Sequence, residues 1–159
     1  MKKTSRADVH REFGKAAELA QLIETELGTI LLAHAALEKK AHITPNCEYF
    51  QKELKTINKN TLGKSLKQIK KRLDFKGNLE LIFTRALETR NYLSHHFYRK
   101  HGISIDTNKG CCKMVINLIE IQEELQYVYS LSSHISEILT KAIQLLFEIE
   151  GSKPLVSSK

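Results

Sequence analysis

Apolar residues recur every three or four positions over two very long stretches of this chain, and that pattern leaves little choice of fold. From Asp8 to about Lys40 they stand at Val9, Phe13, Ala16/Ala17, Ala20, Ile23, Leu27, Ile30/Leu31, Ala35 and Leu37, the spacing of an amphipathic helix. The spacing returns at Val115, Leu118, Ile121/Gln122, Leu125, Val128/Tyr129, Ile135, Leu139, Ile143, Leu146 and Ile149. Each stripe must be covered by another element, so both helices belong to one packed unit. Gly14 and Gly28 weaken the first helix locally by about 1 kcal/mol each relative to alanine. Ser130-Leu131-Ser132-Ser133 is a place where the last helix can kink.

Shorter elements fill the middle. His42-Ile43-Thr44-Pro45-Asn46 breaks the first helix, because the residue before proline is driven out of the helical region. Cys47 to Ile57 forms a short helix with Phe50, Leu54 and Ile57 on one side. Asn60-Thr61 offers an N-cap before Leu62, Leu66, Ile69 and Leu73. Lys76-Gly77-Asn78 punctuates the chain and Asn78 can cap the next helix, whose stripe is Leu79, Ile82/Phe83, Ala86, Leu93 and Phe97 and which runs to about Lys100. Gly102 is a stop, and a loop covers Asp106 to Gly110. Only the short Ile103-Ser104-Ile105 alternates like a strand. The expected fold is all-α, an antiparallel bundle of four to five helices in which short connections make neighbours antiparallel. Residues 1–150 form the single domain. Gly151 and Pro154 end the last helix, and 151–159 is a mobile C-terminal tail.

With 159 residues, 42% of them hydrophobic, the chain can bury a core without disulfides or metals. Cys47, Cys111 and Cys112 make no CxxC pair, and adjacent cysteines rarely bridge each other, which fits a reducing compartment. The basic start Met1-Lys2-Lys3-Thr4-Ser5-Arg6 is followed by Ala7-Asp8-Val9-His10-Arg11-Glu12 rather than an apolar secretion-signal core. The most apolar stretch, Leu27 to Leu37, is about eleven residues against the roughly twenty a bilayer requires. A soluble, cytoplasmic protein with no membrane partner is expected. The formal charge of +7 and pI near 9.3 favour a polyanionic partner. The run Lys64, Lys67, Lys70, Lys71 and Arg72 reads first as the solvated outer face of a helix.

Chemistry concentrates in Arg90-Asn91-Tyr92-Leu93-Ser94-His95. On a helix each residue turns the side-chain direction by about 100°. With Arg90 at zero, Ser94 falls at roughly 40°, Tyr98 at roughly 80°, Asn91 at roughly 100° and His95 at roughly 140°, whereas the apolar stripe clusters between roughly 280° and 340°. His96 falls at roughly 240°, on the other flank. The polar group therefore occupies one arc beside the core. Histidine can take or give a proton near neutral pH, and arginine can stabilise charge developing on a phosphoryl group. Such a set suits RNA cleavage with the substrate's own 2'-hydroxyl as nucleophile and no metal or other cofactor. His95, His96, His101 and Cys111/Cys112 lack recognised metal-ligand spacing.

Arg90-Asn91-x-x-x-His95 resembles the R-x4-6-H motif of HEPN domains, with the polar residue directly after the arginine that active members carry. Thr61-Leu62-Gly63-Lys64, together with Arg85-Ala86-Leu87-Glu88-Thr89-Arg90 and its continuation to Phe97, resembles a group of bacterial HEPN-like proteins. The resemblance covers about residues 61 to 100. It implies a homodimer whose two motif helices face each other across a composite cleft, cutting RNA without metal, often as toxins or phage-defence effectors with an antitoxin protein as partner. By that analogy Arg90 stabilises the transition state, His95 handles protons or positions the 2'-hydroxyl, and Asn91 orients the site, with Ser94 and Tyr98 as substrate-binding candidates. One branch has R-x4-H-x-Y, whose tyrosine is modified by a nucleotidyltransferase; this chain has Phe97 there and Tyr98 one later. HEPN domains also occur as inactive helical modules that bind protein or nucleic acid. In that reading Arg90 merely pairs with a neighbour of Glu88 or with a carboxylate on the long C-terminal helix, and Asn91 with His95 makes an ordinary polar contact along the helix.

Overall fold

The computed structural model describes residues 3–41, 47–73 and 77–151. Among these the elements are α1 (Arg6–Glu38), α2 (Cys47–Ile57), α3 (Leu62–Arg72), α4 (Asn78–His95), α5 (Phe97–His101), a 3-10 turn (Gly102–Asp106) and α6 (Asn108–Gly151), with no strand. The chain is an all-α bundle. The expected break at His42–Asn46 and the tail beyond Gly151 lie outside the described residues.

Local chemistry sets the boundaries. The Ser5 hydroxyl accepts from the Asp8 backbone N–H while the Asp8 carboxylate accepts from the Ser5 N–H, a reciprocal cap on the first turn of α1. Thr107 caps α6, its hydroxyl accepting from the Gly110 N–H at 3.0 Å. Thr61 occupies the N-cap of α3, but its side chain makes no capping bond. The Leu62 N–H donates instead to Glu24 Oε1 of α1, at 3.1 Å. The N-cap of α4 is Gly77, at φ 69°, with Asn78 the first helical residue; a positive φ suits glycine better than asparagine there.

Two expectations change. The helix carrying the motif stops at His95, because His96 leaves the helical region at φ −122° and ψ −22°, and α5 restarts at Phe97. Ile103-Ser104-Ile105 is a 3-10 turn rather than a strand, drawn against α6 by a bond from Cys111 Sγ to the Ile105 carbonyl. The serine-rich stretch of α6 stays helical throughout, with the buried Ser132 hydroxyl bonded back to the Val128 and Tyr129 carbonyls.

Consecutive long helices alternate in direction, as their pins record: Gly28 meets Ile57 across α1/α2, Arg72 meets Glu53 across α2/α3, and Lys70 meets Thr84 and Glu80 across α3/α4. Five alternating helices place the first and the last in the same direction. α1 and α6 accordingly run parallel and form the most extensive interface, with Asn108 bonded to the Thr4 carbonyl, Gln122 to Glu12, and the Ser136 hydroxyl to the Glu26 carboxylate. Val9, Ile23, Leu27 and Leu31 of α1 pack with Leu62 and Ile69 of α3, Phe83 and Leu93 of α4, Phe97 of α5, and Met114, Leu118 and Leu125 of α6. No described helix is long and apolar enough to cross a membrane.

Candidate functional site

Burial of Phe83, Ala86 and Leu93 against α1 and α6 fixes the rotation of α4, and that rotation decides where the motif points. Arg90 comes to rest against α1, its Nη2 3.3 Å from Glu24 Oε1, with both side chains about a quarter exposed. Its Nη1 donates to Asn91 Oδ1 at 3.3 Å. The same Glu24 oxygen accepts the Leu62 N–H, so one carboxylate aligns the arginine and finishes the start of α3. Partial burial makes this arginine better ordered than a free surface side chain, while its remaining N–H donors stay available.

Arg90 and Ser94 line a groove of about 360 Å³ between α1 and α4, with Phe13, Ala20, Gln21 and Glu24 on the opposite wall. Tyr98 packs against Phe13 of that wall, ring centroids 5.1 Å apart and the rings tilted by 40°. Burial pushes the Tyr98 phenol above its usual range, and Arg6 nearby pulls it partly back. The break at His96 moves Tyr98 off the continuous helical arc, yet leaves it beside this groove.

Asn91 is half-buried through its contact with Arg90, whereas His95 is exposed at the last turn of α4, with its ring 6.4 Å from that of His96. The structure thus brings Arg90, Asn91, Ser94 and Tyr98 to one side of the bundle and sets His95 on the adjacent open surface. A single protomer presents an oriented arginine and an accessible imidazole side by side rather than converging on one atom.

A second cluster was not legible in the sequence. The Tyr92 hydroxyl donates to Asn117 Oδ1 at 3.1 Å, and His101 Nε2 lies 3.3 Å from the same oxygen. That oxygen can only accept, so His101 donates from Nε2. Lys100 sits 5.1 Å above the Tyr92 ring, a cation–π arrangement, at the edge of an open α4/α6 groove of about 700 Å³ that also carries Glu88, Glu120 and Glu123. Tyr92 lies within the motif and His101 beyond it, but Asn117 comes from another helix, and no spacing rule links them. Among the described residues no group of His, Cys, Asp or Glu is placed to hold a metal ion. Comparison with protein-family models, with curated proteins and with solved structures finds no match.

Proposed function

We propose that this chain is a metal-independent endoribonuclease of the HEPN type, working as a homodimer in a toxin–antitoxin or phage-defence setting. The observation that supports it most is the split of the motif in one protomer: an arginine oriented by Glu24 and Asn91, and a histidine left open to solvent at the end of the same helix. Apposition of two motif helices supplies a histidine to each arginine. In the reaction the 2'-oxygen of RNA attacks the adjacent phosphorus, the bond to the 5'-oxygen breaks, and a 2',3'-cyclic phosphate forms. His95 takes the 2'-hydroxyl proton or delivers one to the leaving 5'-oxygen, and Arg90 offsets the charge that grows on the phosphoryl oxygens. Asn91 holds the guanidinium, and Ser94 and Tyr98 border the path of the substrate.

A composite site makes a specific demand on mixed protomers. Arg90→Ala and His95→Ala proteins, each inactive alone, should regain RNA cleavage when unfolded and refolded together, because in a mixed dimer the intact Arg90 of one protomer faces the intact His95 of the other across the shared cleft. No recovery in demonstrated mixed dimers would contradict the shared cleft.

One observation favours a second reading, a non-catalytic HEPN-like module that binds protein or nucleic acid. The Arg90–Glu24 contact also ties α4 to α1 and to the first N–H of α3, which is sufficient structural reason for an arginine there. In that case His95→Ala changes no RNA chemistry.

A further inference from the structure

The lysines of α2 and α3 fall into two groups that the sequence does not separate. Lys70 is 3.0 Å from Glu80 and donates to Thr84, and Arg72 is 3.6 Å from Glu53. Lys64, Lys67 and Lys71, at positions i, i+3 and i+7 of α3, are exposed and have no carboxylate partner among the described residues. Lys52 and Lys55, at i and i+3 of α2, and Lys59, in the turn that follows it, are also exposed and have no carboxylate partner among the described residues. Lys52 and Lys55 lie opposite the buried side of α2, carried by Ile57, and Lys64, Lys67 and Lys71 opposite that of α3, carried by Leu62, Leu66 and Ile69. Both helices pack on α1, and the Arg72–Glu53 ion pair and the Asn60–Gln68 bond link them to each other, so the two groups of lysines adjoin on the outer side of the α2–α3 hairpin. Glu48, in the first turn of α2, is the one acidic residue in the same arc among the described residues.

We propose that this hairpin face docks the sugar-phosphate backbone of RNA, with Lys52, Lys55, Lys59, Lys64, Lys67 and Lys71 as its phosphate contacts. Steps of three and four residues space the ammonium groups about 4.5 to 6 Å apart along α3, and Lys52, Lys55 and Lys59 add a second group beyond the Arg72–Glu53 contact that links the two helices. The result is a broad, dense positive field. Six like charges against the single carboxylate of Glu48 repel one another in the free protein, and a polyanion relieves that repulsion while releasing its own condensed ions. Lysine rather than arginine gives point charges on flexible stems, suited to backbone contacts independent of sequence. A membrane fits less well, because a helix lying in a bilayer interface inserts its apolar side. Here those sides are buried in the bundle, and Leu54 faces the α1 groove. The choice of RNA as the polyanion rests on the proposed activity; the surface itself does not.

The test is fluorescence anisotropy of the full chain with a labelled 2'-O-methyl RNA hairpin, which binds but has no free 2'-hydroxyl to react, across a salt series. Six phosphate contacts give a slope of log affinity against log salt of about −5 on a duplex. Changing Lys64, Lys67 and Lys71 together to Gln should flatten the slope to about −3 and weaken low-salt binding at least about tenfold, and so should the Lys52/Lys55/Lys59 triple variant. Lys113→Gln, on exposed α6, should leave both unchanged, with circular dichroism confirming helix content in every variant. Equal slopes for wild type and triple variants overturn the proposal, as does binding to phosphatidylserine vesicles without binding to the hairpin. Because the probe cannot be cleaved, loss of binding here and loss of cleavage by the motif are separate results.

Discussion

Asp8 shows how one side chain couples local capping to pH. Hydrogen bonds from the Ser5 hydroxyl and backbone N–H, reinforced by Arg11, hold its carboxyl down to about 2 from an ordinary 3.8. A carboxylate favoured in the folded state contributes stability above its unfolded pKa and loses it as pH falls through the folded value. The capping contribution should therefore be complete above about pH 4 and fade towards about pH 2. A carboxyl NMR titration of Asp8 should show the low midpoint, and Ser5→Ala should move it back up towards the ordinary value. An unchanged midpoint in Ser5→Ala would mean that the residue-5 backbone N–H and Arg11 set it without the hydroxyl. Glu12 is also lowered, by its bond from Gln122 first and Lys15 second, and there the charge is tied to the α1/α6 interface rather than to a helix end. At this scale the sequence was partly readable. The Ser5-x-x-Asp8 spacing announces a cap, and Arg90 invites a carboxylate partner. That the partner is Glu24 of α1, rather than a residue of the long last helix, depends on packing that no local spacing carries.

At the scale of elements, glycine marks where backbones crowd and where they do not. A Cβ at Gly110 would stand 1.8 Å from the Ser104 carbonyl oxygen, a clash with backbone that can be relieved only by moving the 3-10 turn away from α6. Gly14 has nothing within 4 Å. Gly110→Ala should thus cost several kcal/mol on the order of a severe steric defect, whereas Gly14→Ala should stabilise α1 by up to about 1 kcal/mol. Urea denaturation separates the two, and equal effects of the same sign would contradict the crossing described here. The long helices were legible because their apolar periods continue for many turns. The end of α4 was not, since neither glycine nor proline marks His96, and the chain bends there to seat Phe97 in the core. The basic residues of α3 were legible as charge on an outer face; their division into ion-paired residues (Lys70, Arg72) and the rest depends on Glu80 and Glu53, which arrive from neighbouring helices.

The whole molecule is a bundle in which two long parallel helices, α1 and α6, provide the frame, and the shorter helices present chemistry on it. The motif groove lies where α4 crosses α1, and the lysine face lies on the hairpin that precedes α4. An RNA held by backbone contacts on the hairpin would have its reactive bond brought to a motif that carries few free cations of its own. That division of labour fits a site whose arginine is already engaged by Glu24 and whose histidine is open. The direction of the α1/α6 pair follows from alternation among five helices, even though neither helix announces it locally. The most direct test of this account is incubation of the purified protein with mixed tRNA and mRNA in EDTA, comparing wild type with His95→Ala, a change at an exposed position that spares the core. The account predicts cleavage by the wild type with cyclic phosphate ends and intact RNA with the variant; identical RNA profiles for the two proteins would contradict it.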